Sequence, residues 1–161
     1  MKIKSFMTMA MATVAFVFSM SACSSSDDEA EAPVANQVAG SYTGTETLTV
    51  MGEADESIET IEFSKATDVS VDVTLPKYGA GMMTVPALPA KGISLTKSGN
   101  TITGKLEEYK GSVKNAKGEE KMYTISKLTV IFSDKTVVMT FTMNYGNMPF
   151  AFEGQFTGTK K

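Results

Sequence analysis

Leu128-Thr129-Val130-Ile131-Phe132-Ser133-Asp134-Lys135-Thr136-Val137-Val138-Met139-Thr140-Phe141-Thr142-Met143-Asn144-Tyr145 is the stretch from which the fold of this chain is read. Leu128, Val130 and Phe132 recur at every second position. Beyond the break, so do Val137, Met139, Phe141, Met143 and Tyr145. Period two is the signature of strands that pack one face and wet the other. Asp134-Lys135 leaves room only for a tight turn, so the two runs form an antiparallel hairpin.

The same alternation continues on both sides. Towards the C-terminus, Gly146-Asn147-Met148-Pro149 turns the chain, and Phe150, Phe152, Gly154, Phe156 and Gly158 form a last row. Towards the N-terminus, Asn115-Ala116-Lys117-Gly118 is a turn. Ile102, Gly104 and Leu106 share one phase, while Tyr109 and Val113 take the other, which predicts a bulge near Glu107-Glu108. Ile93 and Leu95 lead into the turn Ser98-Gly99-Asn100. Val69, Val71, Val73 and Leu75 alternate with Ser70, Asp72 and Thr74. A strand around Ile58 to Ser64 follows a turn containing Gly52-Glu53-Ala54-Asp55-Glu56. In Tyr42 to Val50 every odd position is Thr, and Tyr42, Glu46, Leu48 and Val50 share the other face.

Lys77 to Lys91 breaks the pattern with Gly79, Gly81, Pro86 and Pro89 around Met82-Met83. Proline argues against a central strand here. The segment reads as a long connection containing a short edge strand, Met82 to Val85, and connections of this length are often functional.

About eight strands joined mostly by short turns predict an all-β, antiparallel, up-and-down barrel over residues 38–161, with a sandwich as the alternative. Tyr42-Thr43-Gly44-Thr45 and Phe156-Thr157-Gly158-Thr159 repeat one aromatic-Thr-Gly-Thr pattern at the two ends. That repeat suits a first and last strand that close on each other.

Residues 1–37 carry a different signal. Lys2 and Lys4 precede a nearly charge-free apolar run, Phe6 to Met20, of 15 residues. It is shorter than the roughly 20 residues that span a bilayer, and small residues follow, which is the secretory pattern. Met20-Ser21-Ala22-Cys23 resembles the bacterial lipobox, with Met20 in the place usually held by Leu. The resemblance implies a lipoprotein signal peptide over residues 1–22, cleavage before Cys23, and lipid on Cys23 as the membrane anchor. Ser24 to Pro33 is polar, acidic and small, and predicts a disordered tether over residues 23–37. Acids soon after the lipidated Cys, here Ser26-Asp27-Asp28-Glu29, resemble the export signal of Bacteroidota surface lipoproteins. That implies an outer-membrane lipoprotein facing outward, with a periplasm-facing one as the alternative.

The barrel segment itself, from Val38-Ala39-Gly40-Ser41-Tyr42-Thr43-Gly44 through Gly81-Met82-Met83-Thr84-Val85-Pro86 to Phe156-Thr157-Gly158-Thr159-Lys160, resembles the calycin-like β-barrel lipoproteins of Bacteroidota. Lipocalins proper carry Gly-x-Trp on the first strand and a late Arg. Here Gly40-Ser41-Tyr42 stands in that place, and the chain has no Arg.

Composition narrows the chemistry. There is no His and no Trp, and Cys23 is the single Cys, so neither a Ser-His-Asp triad nor the usual zinc ligands are available. Without residues 1–22, thirteen Lys stand against 18 acids, a balance of −5 that offers no basic stripe for nucleic acid. Glu107-Glu108 and Glu119-Glu120 are sequence neighbours that point to opposite strand faces, so neither makes an acid/base couple. Glu53, Asp55 and Glu56 lack the spacing of an EF-hand loop and read as a solvated turn. No cofactor, metal or enzymatic activity is expected. The expected function is binding of a small apolar or amphipathic ligand. Tyr42, Glu46, Met139, Phe141 and Phe152 would line the interior, and Met82 and Met83 a mobile mouth, because Met repacks readily around varied shapes. The competing expectation is a solid barrel that binds a protein or glycan through its outer surface.

Overall fold

The computed structural model describes residues 31–80 and 83–161. A short helix, α1 (Val34–Val38), precedes eight strands: β1 (Gly40–Val50), β2 (Glu53–Thr67), β3 (Ser70–Leu75), β4 (Leu88–Ser98), β5 (Thr101–Lys114), β6 (Glu120–Ser133), β7 (Thr136–Tyr145) and β8 (Phe152–Lys160). Each strand pairs antiparallel with its sequence neighbour, and β1 pairs with β8, so the sheet is a closed up-and-down barrel. Cys23 and Met82 lie outside the described residues.

The two aromatic-Thr-Gly-Thr repeats form the seam. Thr43 faces Thr159, Gly44 faces Gly158 and Thr45 faces Thr157. A Cβ on Gly44 would run into the Thr157 carbonyl and the Gly158 Cα, so only glycine lets the strands approach this closely.

The predicted inward rows are the core. Val137, Met139, Phe141, Met143 and Tyr145 are all buried on β7, as are Phe152, Gly154, Phe156 and Gly158 on β8. Tyr42, Phe63 and Phe132 meet edge-on or tilted, with ring centroids 5.0–5.7 Å apart. Each such buried ring contributes roughly 1.5–3 kcal/mol relative to an exposed one. Glycines on the inner face give the rings room. Phe141 lies over its cross-strand partner Gly154, and Phe156 lies over Gly158, whose added Cβ would meet the ring at 2.6 Å. A Cβ on Gly104 would meet Val130 at 2.5 Å and Ile93 at 2.8 Å. At these positions the interior is filled to contact.

One end of the barrel is shut. Its turns are the two-residue links 68–69, 99–100 and 134–135, the last with Asp134 at φ 52°, as tight hairpins require. Helix α1 sits across this end with Ala35 and Val38 buried. The Ala35 N–H donates to the Asp68 carbonyl (3.1 Å), and Tyr42 Oη donates to the Val38 carbonyl (2.9 Å). Lys97 and Lys160 donate to the Gln37 side chain and carbonyl at 3.2 and 3.1 Å. The tether expected to run to Gln37 therefore gives way to packed helix at Val34. Two apolar residues one turn apart, Ala35 and Val38, suffice to dock it once a barrel end is there to receive them.

The opposite end, the mouth, carries the link 51–52 and the longer connections 76–87, 115–119 and 146–151. Three expectations differ from the structure. Glu53, Asp55 and Glu56 belong to β2 rather than to a turn, because Met51 and Gly52 alone turn the chain, both with positive φ. The phase slip expected on β5 near Glu107-Glu108 is present, and β6 slips with it, since the β5–β6 register is unbroken there. On β6, Lys127 has φ 53° and the register against β7 shifts between Ser126 and Thr129. Pro89 is inside β4, tolerated because β4 pairs with β5 only from Ser94 to Ser98 and leaves the edge at Pro89 open. Of the expected edge strand Met82 to Val85, Val85 alone among the described residues is paired, in a single bridge with Tyr78.

Gly154→Ala is expected to cost about 1–3 kcal/mol in urea unfolding, the range for overpacking a core. Phe141→Leu in the same chain should recover part of that loss. An equal cost in both backgrounds would show that the ring contact is not its cause.

Candidate functional site

Polar chemistry inside the barrel gathers towards the mouth. Glu46 on β1 points inward, flanked across the sheet by Ser57 and Phe156, and is 1% exposed. Its partner comes from the 76–87 connection. The Tyr78–Val85 bridge, with both backbone hydrogen bonds at 2.9 Å, pins that connection, and Tyr78 Oη donates to Glu46 Oε1 at 2.8 Å. Glu46 Oε2 has no partner among the described residues. Glu59, paired with Gly44 on the same inner face, adds a second carboxylate nearby.

Burial pushes the Glu46 carboxyl up to about 7, the Tyr78 hydrogen bond opposes this, and the Glu59 charge adds to it. Desolvation disfavours the charged form of an acid, so Glu46 changes charge near neutrality instead of staying an ionised surface group. Tyr78 is held well above the usual phenol range, first by burial and then by Glu46.

A second tyrosine spans an opening in the wall. β4 and β5 part beyond Ser94–Lys105, and Tyr123 of β6 lies over Gly111 of β5, donating to the Pro89 carbonyl of β4 at 2.6 Å. The hydroxyl thus satisfies a carbonyl on the open edge. Burial, followed by neighbouring Tyr109, pushes this phenol up to about 12.

Above these groups the mouth loops enclose a groove of about 590 Å³, lined by Met83, Met122, Tyr145, Met148, Pro149 and Phe150, with Glu120 and Lys121 at its margin. A neighbouring hollow of about 350 Å³ shares Met83, Lys121, Tyr145 and Met148 with it. Tyr145 is 5% exposed, and its Oη is buried with no partner among the described residues, so the groove itself presents apolar walls with Glu120 and Lys121 as its charged margin. Lys121 is paired with Glu119 at 3.1 Å.

Of the residues expected to line a ligand site, Tyr42, Glu46, Met139, Phe141 and Phe152 all face the interior, where each is at least nine-tenths buried among its neighbours. Met83 is 65% exposed and borders the groove instead. The sequence reading missed Tyr78, Tyr145 and Tyr123 as site residues. Tyr145 ends a period-two row and was legible as an inward residue, whereas Tyr78 sits in a stretch without any periodicity. Among the described residues no group of three acids, Cys or His is placed to hold a metal, and no helix is long and apolar enough to cross a membrane.

Comparison with known proteins gives a likeness of fold. No protein-family model matches the chain, and no curated protein does. Among solved structures, a Bacteroides fragilis protein named a "putative outer membrane protein" matches with TM-score 0.63 and 17% identity over 80% of this chain. The chain spans about half of that protein's length, 53%. A redesigned β-barrel matches at TM-score 0.39 and 12% identity, over 81% of this chain and 97% of that one.

The raised Glu46 carboxyl makes stability depend on pH with a definite sign. The folded state holds the proton more tightly than the unfolded chain, whose carboxyl has its ordinary value of 4.5. The stabilisation is therefore complete below about 4.5 and is lost as pH rises through about 7. Glu46→Gln keeps an acceptor for Tyr78 and removes the titration. It is expected to gain about 1–3 kcal/mol on the wild type between pH 5 and pH 8, read from denaturation midpoints at both. A constant difference between the two proteins at both pH values would show that Glu46 does not titrate in this window.

Proposed function

We propose that this protein is a non-catalytic envelope lipoprotein, anchored through lipid on Cys23, whose barrel is a filled scaffold holding a small amphipathic ligand in the mouth groove. The observation that carries the reading is the groove of about 590 Å³ walled by Met83, Met122, Met148, Pro149 and Phe150, with Glu120 and Lys121 at its margin. Apolar walls favour a hydrocarbon portion, and the charged margin at Glu120 and Lys121 favours one polar group beside it. Methionines at 83, 122 and 148 suit a ligand of variable shape.

The interior is a poorer place for such a ligand. Its glycines are already covered by rings, and Met139 and Phe156 are fully buried. Ligand binding thus moves from the inside of the barrel, where the sequence placed it, to the rim. Envelope placement is supported by the lipobox-like Met20-Ser21-Ala22-Cys23 and by the fold shared with the Bacteroides fragilis protein. Helix α1, near the start of the described residues, packs on the shut end, and the groove lies at the other end of the barrel.

Two measurements test this. Binding of a dansylated undecanoate, followed by fluorescence, should weaken at least tenfold in Met148→Ala and in Phe150→Ala with little change in melting temperature. Met139→Ala should instead cost about 2–5 kcal/mol of stability, the range for a buried methionine, and leave binding by the folded fraction intact. Binding lost only with Met139→Ala would return the ligand to the interior. Separately, Cys23→Ser should move the protein from the membrane to the soluble fraction and remove acyl mass from the intact chain.

A further inference from the structure

β2 is longer than the strand that should cover it. On one side it pairs with β1 from Phe63 out to Glu53. On the other side β3 pairs only with Phe63 to Thr67. Residues 53–61 therefore present a sheet edge with no backbone partner among the described residues. Glu53 through Ile58 are exposed on both faces of the strand. Tyr78 of the nearby 76–87 connection turns inward to Glu46, and other described residues of it lie towards β5 and β7. Lys77, Thr84 and Pro86 lie beside Lys114 and Asn115, and Met83 beside Tyr145. An open edge of this length offers N–H and C=O groups of alternate residues at strand spacing, the template on which an extended peptide adds.

Charge selects the occupant. Glu53, Asp55, Glu56, Glu59 and Glu62 fall within ten residues, and no basic residue stands between Met51 and Ser64. Among the described residues none of these acids forms an ion pair. Glu53, Asp55 and Glu59 share the inner face with Glu46, while Glu56 and Glu62 share the outer one, so an added strand meets acid on both sides. A second copy of this edge would set like charges opposite one another, which is destabilising, and edge charges commonly serve to prevent such self-pairing. A strand carrying Lys or Arg on both faces meets the reverse condition. Ile58, 73% exposed on the outer face, adds one apolar contact.

We propose that the open edge of β2 captures an extended basic peptide segment by strand addition, backbone hydrogen bonds holding it and the flanking acids selecting its charge. The surface is distinct from the mouth groove and does not depend on it.

The test uses the full chain in detergent micelles and a fluorescein-labelled octapeptide, Lys-Lys-Val-Thr-Lys-Lys-Val-Thr, which carries Lys on both faces of an extended strand. Two comparison peptides carry N-methyl groups on alternate residues, one set for each edge of the peptide strand. One methylated peptide should bind at least tenfold more weakly than the parent and the other should bind like it, since charge is equal in all three. Binding of the parent should slow hydrogen exchange at the alternate amides of residues 53–60 that do not bond to β1. Asp55→Lys with Glu56→Lys, both exposed, should lose at least tenfold in affinity while the circular dichroism spectrum is kept. Equal affinity for all three peptides would reduce the effect to charge attraction and overturn strand addition, as would the absence of binding. Slow exchange at those alternate amides without peptide, in a protein that light scattering shows to be dimeric, would assign the edge to a second copy.

Discussion

Everything in this molecule depends on the pairing of β1 with β8 from Tyr42↔Lys160 to Val50↔Phe152. Without that seam the first and last strands would be long open edges, and the inward rows would lie on a curled sheet with one face in water. With it, eight strands enclose a space that their own side chains fill. The seam is possible because Gly44 and Gly158 face each other, where any side chain would hold the backbones apart. Closure in turn fixes what faces inward on every strand, since side chains alternate and the register admits no slip without exposing the core.

The limited space inside explains why glycines recur under rings. Phe141 over Gly154, Phe156 over Gly158 and Tyr123 over Gly111 each put a large ring against a strand with no Cβ. The barrel thus holds aromatic bulk at contact distance by thinning its own wall. Such an interior has little room to adapt, and the adaptable side chains, Met83, Met122 and Met148, stand at the rim.

Much of this was legible in the sequence, for a physical reason. Strands with one wet face and one dry face must alternate, so β7 and β8 could be read residue by residue, as could the inward position of Glu46 among Tyr42, Leu48 and Val50. The matching Thr-Gly-Thr segments announced the seam. What escaped were features set by partners distant in the chain. Tyr78 lies 32 residues from Glu46 in a connection without pattern. The phase slip at Glu107 was visible, but only the β6–β7 register shows that Lys127 carries the extra residue. The segment 34–37 was too short and too polar in context to announce a helix, and its docking depends on a barrel end that exists only after folding. Composition alone marked Met82-Met83 as lining. The placement of Met83 at the surface came from the path of the loop, which composition does not encode.

The two ends of the barrel divide the work by how their backbone groups are satisfied. At the shut end, tight turns and α1 consume the hydrogen-bonding groups: Tyr42 holds the Val38 carbonyl, and Lys97 and Lys160 hold Gln37. At the mouth, β4 leaves β5, β3 stops short of β2, and single side chains take over, with Tyr123 reaching the Pro89 carbonyl and Tyr78 reaching Glu46. Unsatisfied groups accumulate there as a consequence: Glu46 Oε2, Tyr145 Oη and the edge of β2. A buried polar atom without a partner costs roughly 1–3 kcal/mol. With Glu46 Oε2 and Tyr145 Oη both towards the mouth, this cost falls on the end that the loops cover, while the end that α1 covers is closed by paired groups.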